Sequence, residues 1–405
     1  MTDISLIQAD ARKLPIADGV VQCVVTSPPY WGLRKYAGDQ GEAPYGLEPT
    51  IEAYLATTIE VLRELRRVLR PDGVVFWNIG DSYCSGAYSP RTRENRETLE
   101  SRALRTDGRL DHTPHNWTID ANKIPRNGIP DGLKPKDLCL IPERVAIAAQ
   151  ADGWWVRSII IWAKPNPMPE SCTDRPTDAY EHIIMLTKSE RYFWDADAVR
   201  EPAVHAGETR ITSAKGMSNG QAMGIGVNPS GNGKPGSVIT IAAGRNMRNV
   251  WTFPTQPYKG AHFATFPEEI PRRCILAATS ERGACVSCGA PWQRVTSTKY
   301  HNDTTTDGRP AEGNNIKGGR EDGARTFASG VRTRRIDTTL GWKPTCKCFP
   351  GLETSPCLVL DPFGGSGTTA RVAVELNRRA VSLDLAYHDH AEKRTRNVQR
   401  NLIGV

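Results

Sequence analysis

Val21-Gln22-Cys23-Val24-Val25-Thr26-Ser27-Pro28-Pro29-Tyr30-Trp31-Gly32-Leu33 (VQCVVTSPPYWGL) holds the sharpest change of character in the chain. Val20 to Val25 is an apolar run of the length of a buried strand. Thr26-Ser27-Pro28-Pro29-Tyr30-Trp31 breaks it abruptly. Two successive prolines donate no backbone hydrogen bond and fix φ, so the strand must end there in a stiff, extended corner. That corner holds up the carbonyl of Ser27 or Pro28, a serine hydroxyl and an aromatic face together. A carbonyl acceptor beside a stacking ring suits a flat molecule bearing an amino group, such as a nucleobase swung out of its stack.

Outward from this corner the chain alternates strands and helices, the plan of an α/β sheet. Ser5 to Ala9 reads as a short strand ending at Asp10, where an acid commonly touches a ligand or caps a turn. Ile51, Tyr54, Leu55, Ile59, Leu62, Leu65, Val68 and Leu69 recur at helical spacing. Pro71-Asp72-Gly73 is expected to stop that helix before a strand over Gly73 to Ile79, with Gly80-Asp81-Ser82 at the same rim. Helical spacing returns over Leu138 to Ala151, followed by a strand at Trp154 to Trp162 and a helix over Glu268 to Thr279.

Near the C-terminus a strand, Pro356 to Leu360, runs into Asp361-Pro362-Phe363-Gly364-Gly365-Ser366-Gly367-Thr368-Thr369. A glycine-rich turn from strand to helix lets backbone approach a ligand and aims amide groups at it. The turn lacks the G-x4-G-K-S/T of a phosphate loop and the G-x-G-x-x-G of a dinucleotide loop. A helix over Thr368 to Asn377 and a strand over Ala380 to Leu383 follow, ending at Asp384. An acid there can hold ribose hydroxyls. His390 to Arg400 reads as a basic helix with a solvated face.

With 405 residues, 39% hydrophobic, and with Gly 36 and Pro 29, the chain has room for one large core carrying long polar excursions. The net charge of +7 fits a polyanion partner but supports it weakly. No apolar run approaches the ~18 residues of a membrane span, and MTDISLIQAD lacks the layout of a secretory signal. A cytoplasmic protein is expected. Its ten cysteines then point to reduced thiols and a metal rather than disulfides. Cys285-Val286-Ser287-Cys288-Gly289 is a C-x2-C-G knuckle, the turn that wraps two thiolates around zinc. Cys346 and Cys348 are the expected second pair, with Cys274 or Cys357 as substitutes. Four thiolates leave no open position, so such a zinc would be structural.

Thr26-Ser27-Pro28-Pro29-Tyr30-Trp31 resembles the catalytic (D/N/S)-PP-(Y/F/W) motif of DNA amino-methyltransferases, and DPFGGSGTT resembles their S-adenosylmethionine loop. Between them, WxKPNPMPE…DRPTDAYEHIIMLTKS…YFWD resembles the hairpin these enzymes turn behind the target-base pocket, and HFATFPEEIPRRCILAAT the segment beside the methionine end of the cofactor. Catalytic motif first and glycine loop last is the order of the β-class of that family. The resemblance covers residues 1–84, 138–200, 250–290 and 355–390, and passes over the polar inserts. It implies a permuted Rossmann-like S-adenosylmethionine-dependent methyltransferase fold. Its sheet is expected to be seven-stranded and mostly parallel, with polar inserts and a small zinc-knuckle insert.

The expected segments are a catalytic half over 1–84 and 138–200, interrupted by a solvated polar insert at 85–137. A target-recognition or linker segment spans 201–248. The cofactor-binding half follows over 249–282 and 351–405, split by the knuckle insert at 283–350. Ser27, Pro28, Pro29 and Tyr30 become the catalytic set. Asp10, Thr26, Asp361, Pro362, Phe363, Gly365, Ser366, Gly367, Thr368 and Asp384 become the cofactor set. Glu181 and His182 are expected to pin the hairpin.

The implied reaction is methyl transfer to the 4-amino group of cytosine in double-stranded DNA after base flipping, because Ser before Pro-Pro-Tyr accompanies cytosine more than adenine in the family. The 6-amino group of adenine is the alternative. An inactive zinc-bearing DNA reader and an RNA or protein amide methylase are rivals of other classes. Carbon-5 methylation needs a cysteine nucleophile, and Pro356-Cys357 sits in the wrong place for one. A cognate restriction nuclease is the partner implied, in a bacterial, archaeal or phage-encoded system.

Overall fold

The run around Val24 does become a strand, and it lies at the centre of the sheet. In the computed structural model the described residues are 3–32, 45–84, 130, 132–202, 209–211, 238–240, 244–256, 266–303, 332–348, 353–385, 388–396 and 398. The loop at 33–44, nearly all of the polar insert before residue 132, most of the 201–248 segment and the insert core at 304–331 lie outside them. The chain divides into two units. One comprises Met1–Asp195, Arg248–Trp292 and Pro344–Val405; the other comprises Ala196–Met247 and Gln293–Lys343.

The larger unit carries a mixed sheet of β1 (Ile4–Ile7), β2 (Val21–Thr26), β3 (Leu69–Ile79), β4 (Trp155–Ala163), β5 (Tyr180–Thr187), β6 (Val250–Thr252), β7 (Leu358–Asp361) and β8 (Arg379–Leu383). Their order is β1-β8-β7-β2-β3-β5-β4-β6. Pairing is parallel from β1 through to β3, antiparallel at β3/β5 and β5/β4, and parallel again at β4/β6. Eight strands therefore replace the seven expected. The addition is β6, whose three residues are too few to show a period in sequence and are held by backbone pairing to Ile161, Trp162 and Ala163. Every residue of β2 is buried, which is why it reads as an unbroken apolar run rather than an alternation.

Helix α1 (Ile51–Val68) is capped by Thr50, whose side chain accepts from the Ala53 N–H. It buries Ile51, Tyr54, Thr58, Val61, Leu62, Leu65 and Val68 along one stripe. That stripe and α2 (Ile141–Ala151) share a core with Val24, Val75, Trp77, Ile184, Leu360 and Leu383. Helices α3 (Glu269–Ala278) and α4 (Thr368–Glu375) pack against each other, α3 on β2 and α4 on β7 and β8. The two strand halves that are far apart in sequence are thus covered by the same helix layer.

Pro71-Asp72-Gly73 does not end α1. The helix stops at Val68, and Leu69 is already extended; Arg70, which precedes Pro71, is itself disfavoured in the α region, so the helix has no continuation past Leu69. The tripeptide forms an irregularity inside β3, where pairing jumps from Val21↔Leu69 to Cys23↔Val74. Gly73 is required there: a Cβ would lie 2.6 Å from Leu69 Cδ1 and 3.0 Å from the Gln22 carbonyl.

The smaller unit is built of two-stranded ladders. Glu201–Pro202 pairs with Gly244–Arg245, and Thr209–Ile211 with Val238–Thr240. Trp292–Asp303 and Arg332–Pro344 form a long ribbon, on which the Arg294 guanidinium lies 4.4 Å over the Trp342 ring. Among the described residues no helix is long and apolar enough to cross a membrane.

Candidate active site

β2 and β7 are neighbours, with Cys23 opposite Val359 and Val24 opposite Leu360. Both proline-containing turns therefore leave the same rim of the sheet, where open α/β sheets bind ligands. A hydrogen bond joins them across 335 residues of sequence: Thr26 Oγ1 donates to Asp361 Oδ1 at 2.7 Å. Phe363 N donates to the same oxygen at 3.1 Å, and Thr369 Oγ1 donates to the Val25 carbonyl at 3.2 Å. Asp361 is only 2% exposed. Burial pushes its carboxyl up to about 6, against the pull of the Thr26 and Thr369 hydroxyls and the Phe363 N–H.

The glycine turn after Asp361 is held close to β8. Gly364 N donates to the Leu383 carbonyl at 2.7 Å, and a Cβ on Gly364 would sit 1.8 Å from Ser382 Oγ. Gly365 N donates to Asp384 Oδ2 at 2.9 Å, so the acid expected for ribose hydroxyls stands beside the loop. Gly367 opens α4 from the left-handed region at φ +78°. Arg394 on α5 (His388–Thr395) donates to Ser366 Oγ at 2.6 Å and Thr368 Oγ1 at 2.9 Å, and pairs with Glu268. The last helix is thus not merely a solvated face: its arginine reaches back and ties the loop to the start of α3.

Asp10 behaves differently from the rest of the expected cofactor set. Its carboxylate accepts from Arg12 N at 2.8 Å and pairs with the Arg12 guanidinium at 2.6 Å, which holds it below the usual carboxylate range. It closes its own turn.

At the Pro-Pro corner Pro28 is buried, while Ser27 and Tyr30 are part-exposed. Tyr54 Oη donates to the Pro29 carbonyl at 3.1 Å, and Tyr45 stacks between Tyr54 and Phe363, with centroids at 5.4 and 5.6 Å. Trp77 meets Phe363 edge-on at 6.1 Å. Aromatic rings therefore bridge the Pro-Pro corner and the glycine loop. Tyr30 lies over Gly80 at the end of β3, where a Cβ would come within 2.8 Å of its ring.

The Tyr30 hydroxyl donates to Glu181 Oε2 at 2.8 Å and accepts from Asn78 Nδ2 at 2.9 Å and from Ser27 Oγ at 3.2 Å. Lys164 completes the group with an ion pair to Glu181 Oε1. Glu181, expected only to pin the hairpin, thus faces the Pro-Pro corner; His182, one residue on, takes the structural role and meets Glu143 at 3.2 Å. Strand alternation sends these neighbours to opposite faces. The alternation was readable, but which face carried the site was not. Nearby, Trp77 Nε1, Asn78 Oδ1 and Asp81 Oδ2 are buried with no partner among the described residues, and burial raises the Asp81 carboxyl.

The cysteines separate as their sequence context implies. Cys285, Cys288, Cys346 and Cys348 bring their sulfurs within 4.8 Å of one another. The knuckle turn closes with Gly289 N donating to the Cys285 carbonyl at 2.8 Å, and Gly289 takes φ +69°. Arg70 Nη1 donates to the Cys288 carbonyl at 2.7 Å, which ties the knuckle to β3. Cys274 and Cys357 are fully buried elsewhere; burial pushes the Cys357 thiol up to about 11, which disfavours the thiolate that a nucleophile needs.

The profile of the N6/N4 DNA methylase family matches residues 21–286 and 357–393, spanning both turns. The type II methyltransferase M.Cfr9I of Citrobacter freundii is 39% identical over 279 residues, 68% of this chain and 72% of that protein. M.SmaI of Serratia marcescens, also a type II methyltransferase, is 36% identical over 280 residues, 69% of this chain and 76% of that one. Among solved structures, the cytosine-N4-specific PvuII DNA methyltransferase aligns with a TM-score of 0.49 at 14% identity, over 100% of this chain and 89% of that one. The chain belongs to the family of N6/N4 DNA methylases.

Proposed function

We propose that the protein transfers a methyl group from S-adenosylmethionine to the 4-amino group of a cytosine flipped out of double-stranded DNA. The observation that carries this reading is the Thr26–Asp361 hydrogen bond, which sets the Pro-Pro corner and the glycine loop side by side on one rim. The residues at the rim fit the cofactor. A buried carboxylate with a raised pKa calls for a cation, and S-adenosylmethionine carries a sulfonium and an ammonium. Gly364 lets the turn lie against Ser382, and a Cβ on Gly365 would meet nothing nearer than the Phe363 carbonyl at 4.0 Å, so the loop backbone there is open to a ligand. Asp361, Phe363, Gly365, Ser366, Gly367 and Thr368 would hold the methionine part, and Asp384 the ribose hydroxyls. When bound, the cofactor supplies an electrophilic methyl.

The chain's own task is the amino nitrogen. Its lone pair is delocalised into the ring, so it is a weak nucleophile. Accepting its two N–H bonds at the Ser27 hydroxyl and the Pro28 carbonyl draws the nitrogen toward sp3 geometry and frees that pair. Tyr30 stacks on the base and fixes the line of approach, so positioning supplies most of the acceleration. As the nitrogen takes the methyl, the methyl–sulfur bond would break to leave a neutral thioether, and the methylated nitrogen would shed one proton to water, with no covalent intermediate to the protein. Ser27 at the head of the motif favours cytosine over adenine.

The four clustered thiols suit a tetrahedral structural Zn2+. The 201–248 segment is assigned to target recognition, a restriction nuclease of the same sequence specificity to its partner, and the cytoplasm to its location. Methylome sequencing of DNA from cells expressing the chain tests the reaction. N4-methylcytosine at one recurring sequence is expected. N6-methyladenine would move the target to adenine, and an unmodified genome would overturn the reading.

A further inference from the structure

Resting on that reaction, we infer that Glu181 is a positioning residue that sets the hydrogen-bond direction of the catalytic serine. A carboxylate only accepts, so the Tyr30 hydroxyl must donate to Glu181, 2.8 Å away. Asn78 Nδ2 lies 2.9 Å from Tyr30 Oη and 2.8 Å from Glu181 Oε2. Facing two oxygens, it must be the amide nitrogen. With its proton given to Glu181, the tyrosine oxygen can only accept from Ser27, 3.2 Å away. The serine proton is thereby committed, and the remaining lone pairs of Ser27 Oγ are left as acceptors. An exocyclic amino group brings donors. The chain Ser27, Tyr30, Glu181 makes the serine an obligate acceptor for the target it must grip.

Lys164 is what keeps Glu181 in this state. Its ammonium lies against Glu181 Oε1 and 4.7 Å from the Trp162 ring centre, and both members of the pair are less than one-fifth exposed. Lysine only donates, so it needs an oxygen on its side of residue 181. In Glu181→Gln the amide turns its oxygen to Lys164 and its NH2 to Tyr30. While Asn78 keeps its nitrogen toward it, Tyr30 then faces two donors and sends its own proton to Ser27, which becomes a donor. Replacing Lys164 as well frees the glutamine to turn its oxygen back to Tyr30.

Three variants test this: Glu181→Gln, Glu181→Gln with Lys164→Met, and Tyr30→Phe. Single-turnover methylation of DNA is expected to slow by at least about tenfold in Glu181→Gln, with S-adenosylmethionine and DNA affinities within about threefold of the parent. The double variant should recover most of that loss, which a purely structural role for Glu181 would not do. Fluorine NMR on 3-fluorotyrosine-labelled protein reads the hydrogen bond without any turnover. The resonance that vanishes in Tyr30→Phe should shift in Glu181→Gln and return in the double variant. An unshifted resonance, or a rate loss that persists in the double variant, overturns the inference. If the parent protein transfers no methyl to DNA while the resonance behaves as described, the reaction proposed above fails and the hydrogen-bond direction stands.

Discussion

Replacing Asp361 by asparagine should make the protein more stable and less able to hold its cofactor. The carboxyl is almost wholly buried and raised from an ordinary 3.8 to about 6. Below about pH 3 it is protonated in both folded and unfolded chains and carries no penalty. From there to about pH 6 the unfolded chain ionises first and the folded chain holds the proton, so stability falls as pH rises. Above about 6 the loss levels off. The rise from 3.8 to about 6, at about 1.36 kcal/mol per pH unit, gives a penalty of about 3 kcal/mol at pH 8. Asparagine keeps an oxygen for Thr26 Oγ1 and Phe363 N but carries no charge to bury. The difference in unfolding free energy between Asp361→Asn and the parent, from urea titrations at pH 4 to 8, should start near zero. It should rise in favour of asparagine, reaching up to about 3 kcal/mol. Calorimetry should show the opposite for ligand: S-adenosylmethionine binds the parent more tightly above pH 6 than below, by up to about tenfold per pH unit, and binds the variant weakly throughout. A difference curve that is flat with pH, or an asparagine variant less stable at pH 8, would refute the reasoning.

Other expectations follow from the same geometry. Ser27→Ala combined with Tyr30→Ala should abolish labelled-methyl transfer while calorimetric cofactor affinity stays within a few-fold, since the glycine loop is anchored through Asp361, Asp384 and Arg394 instead; retained transfer would displace the catalytic assignment. Metal analysis of purified protein should give about one zinc per chain, and Cys285→Ser with Cys288→Ser should lose it. A metal-free parent would dismiss the site. Because the knuckle meets β3 through Arg70, away from the rim, chelation should lower the thermal midpoint more than it lowers cofactor affinity.

Short-range signals made most of the scaffold readable. The helical stripe of α1 and the buried run of β2 depend on residues a few positions apart, and each appeared where its pattern placed it, while the hairpin β4/β5 appeared where the family resemblance put it. Failures came where the deciding contact was distant. β6 exists only because β4 offers it an open edge, and the Pro71-Asp72-Gly73 irregularity only because Gln22 lies across from it. Glu181 looked like a hairpin residue because a strand's alternation names two faces without saying which one a site occupies.

From the residues alone came the two proline-bearing turns, their order along the chain, and the cysteine quartet, since turn chemistry and ligand type are properties of local sequence. Tertiary structure alone decided that Thr26 would touch Asp361, that Tyr30 would be gripped by Asn78 and Glu181, and that Arg394 would return to the glycine loop. Those meetings are set by which strands pair and which helices cover them, a free-energy balance of the whole buried core. No window of neighbouring residues contains it.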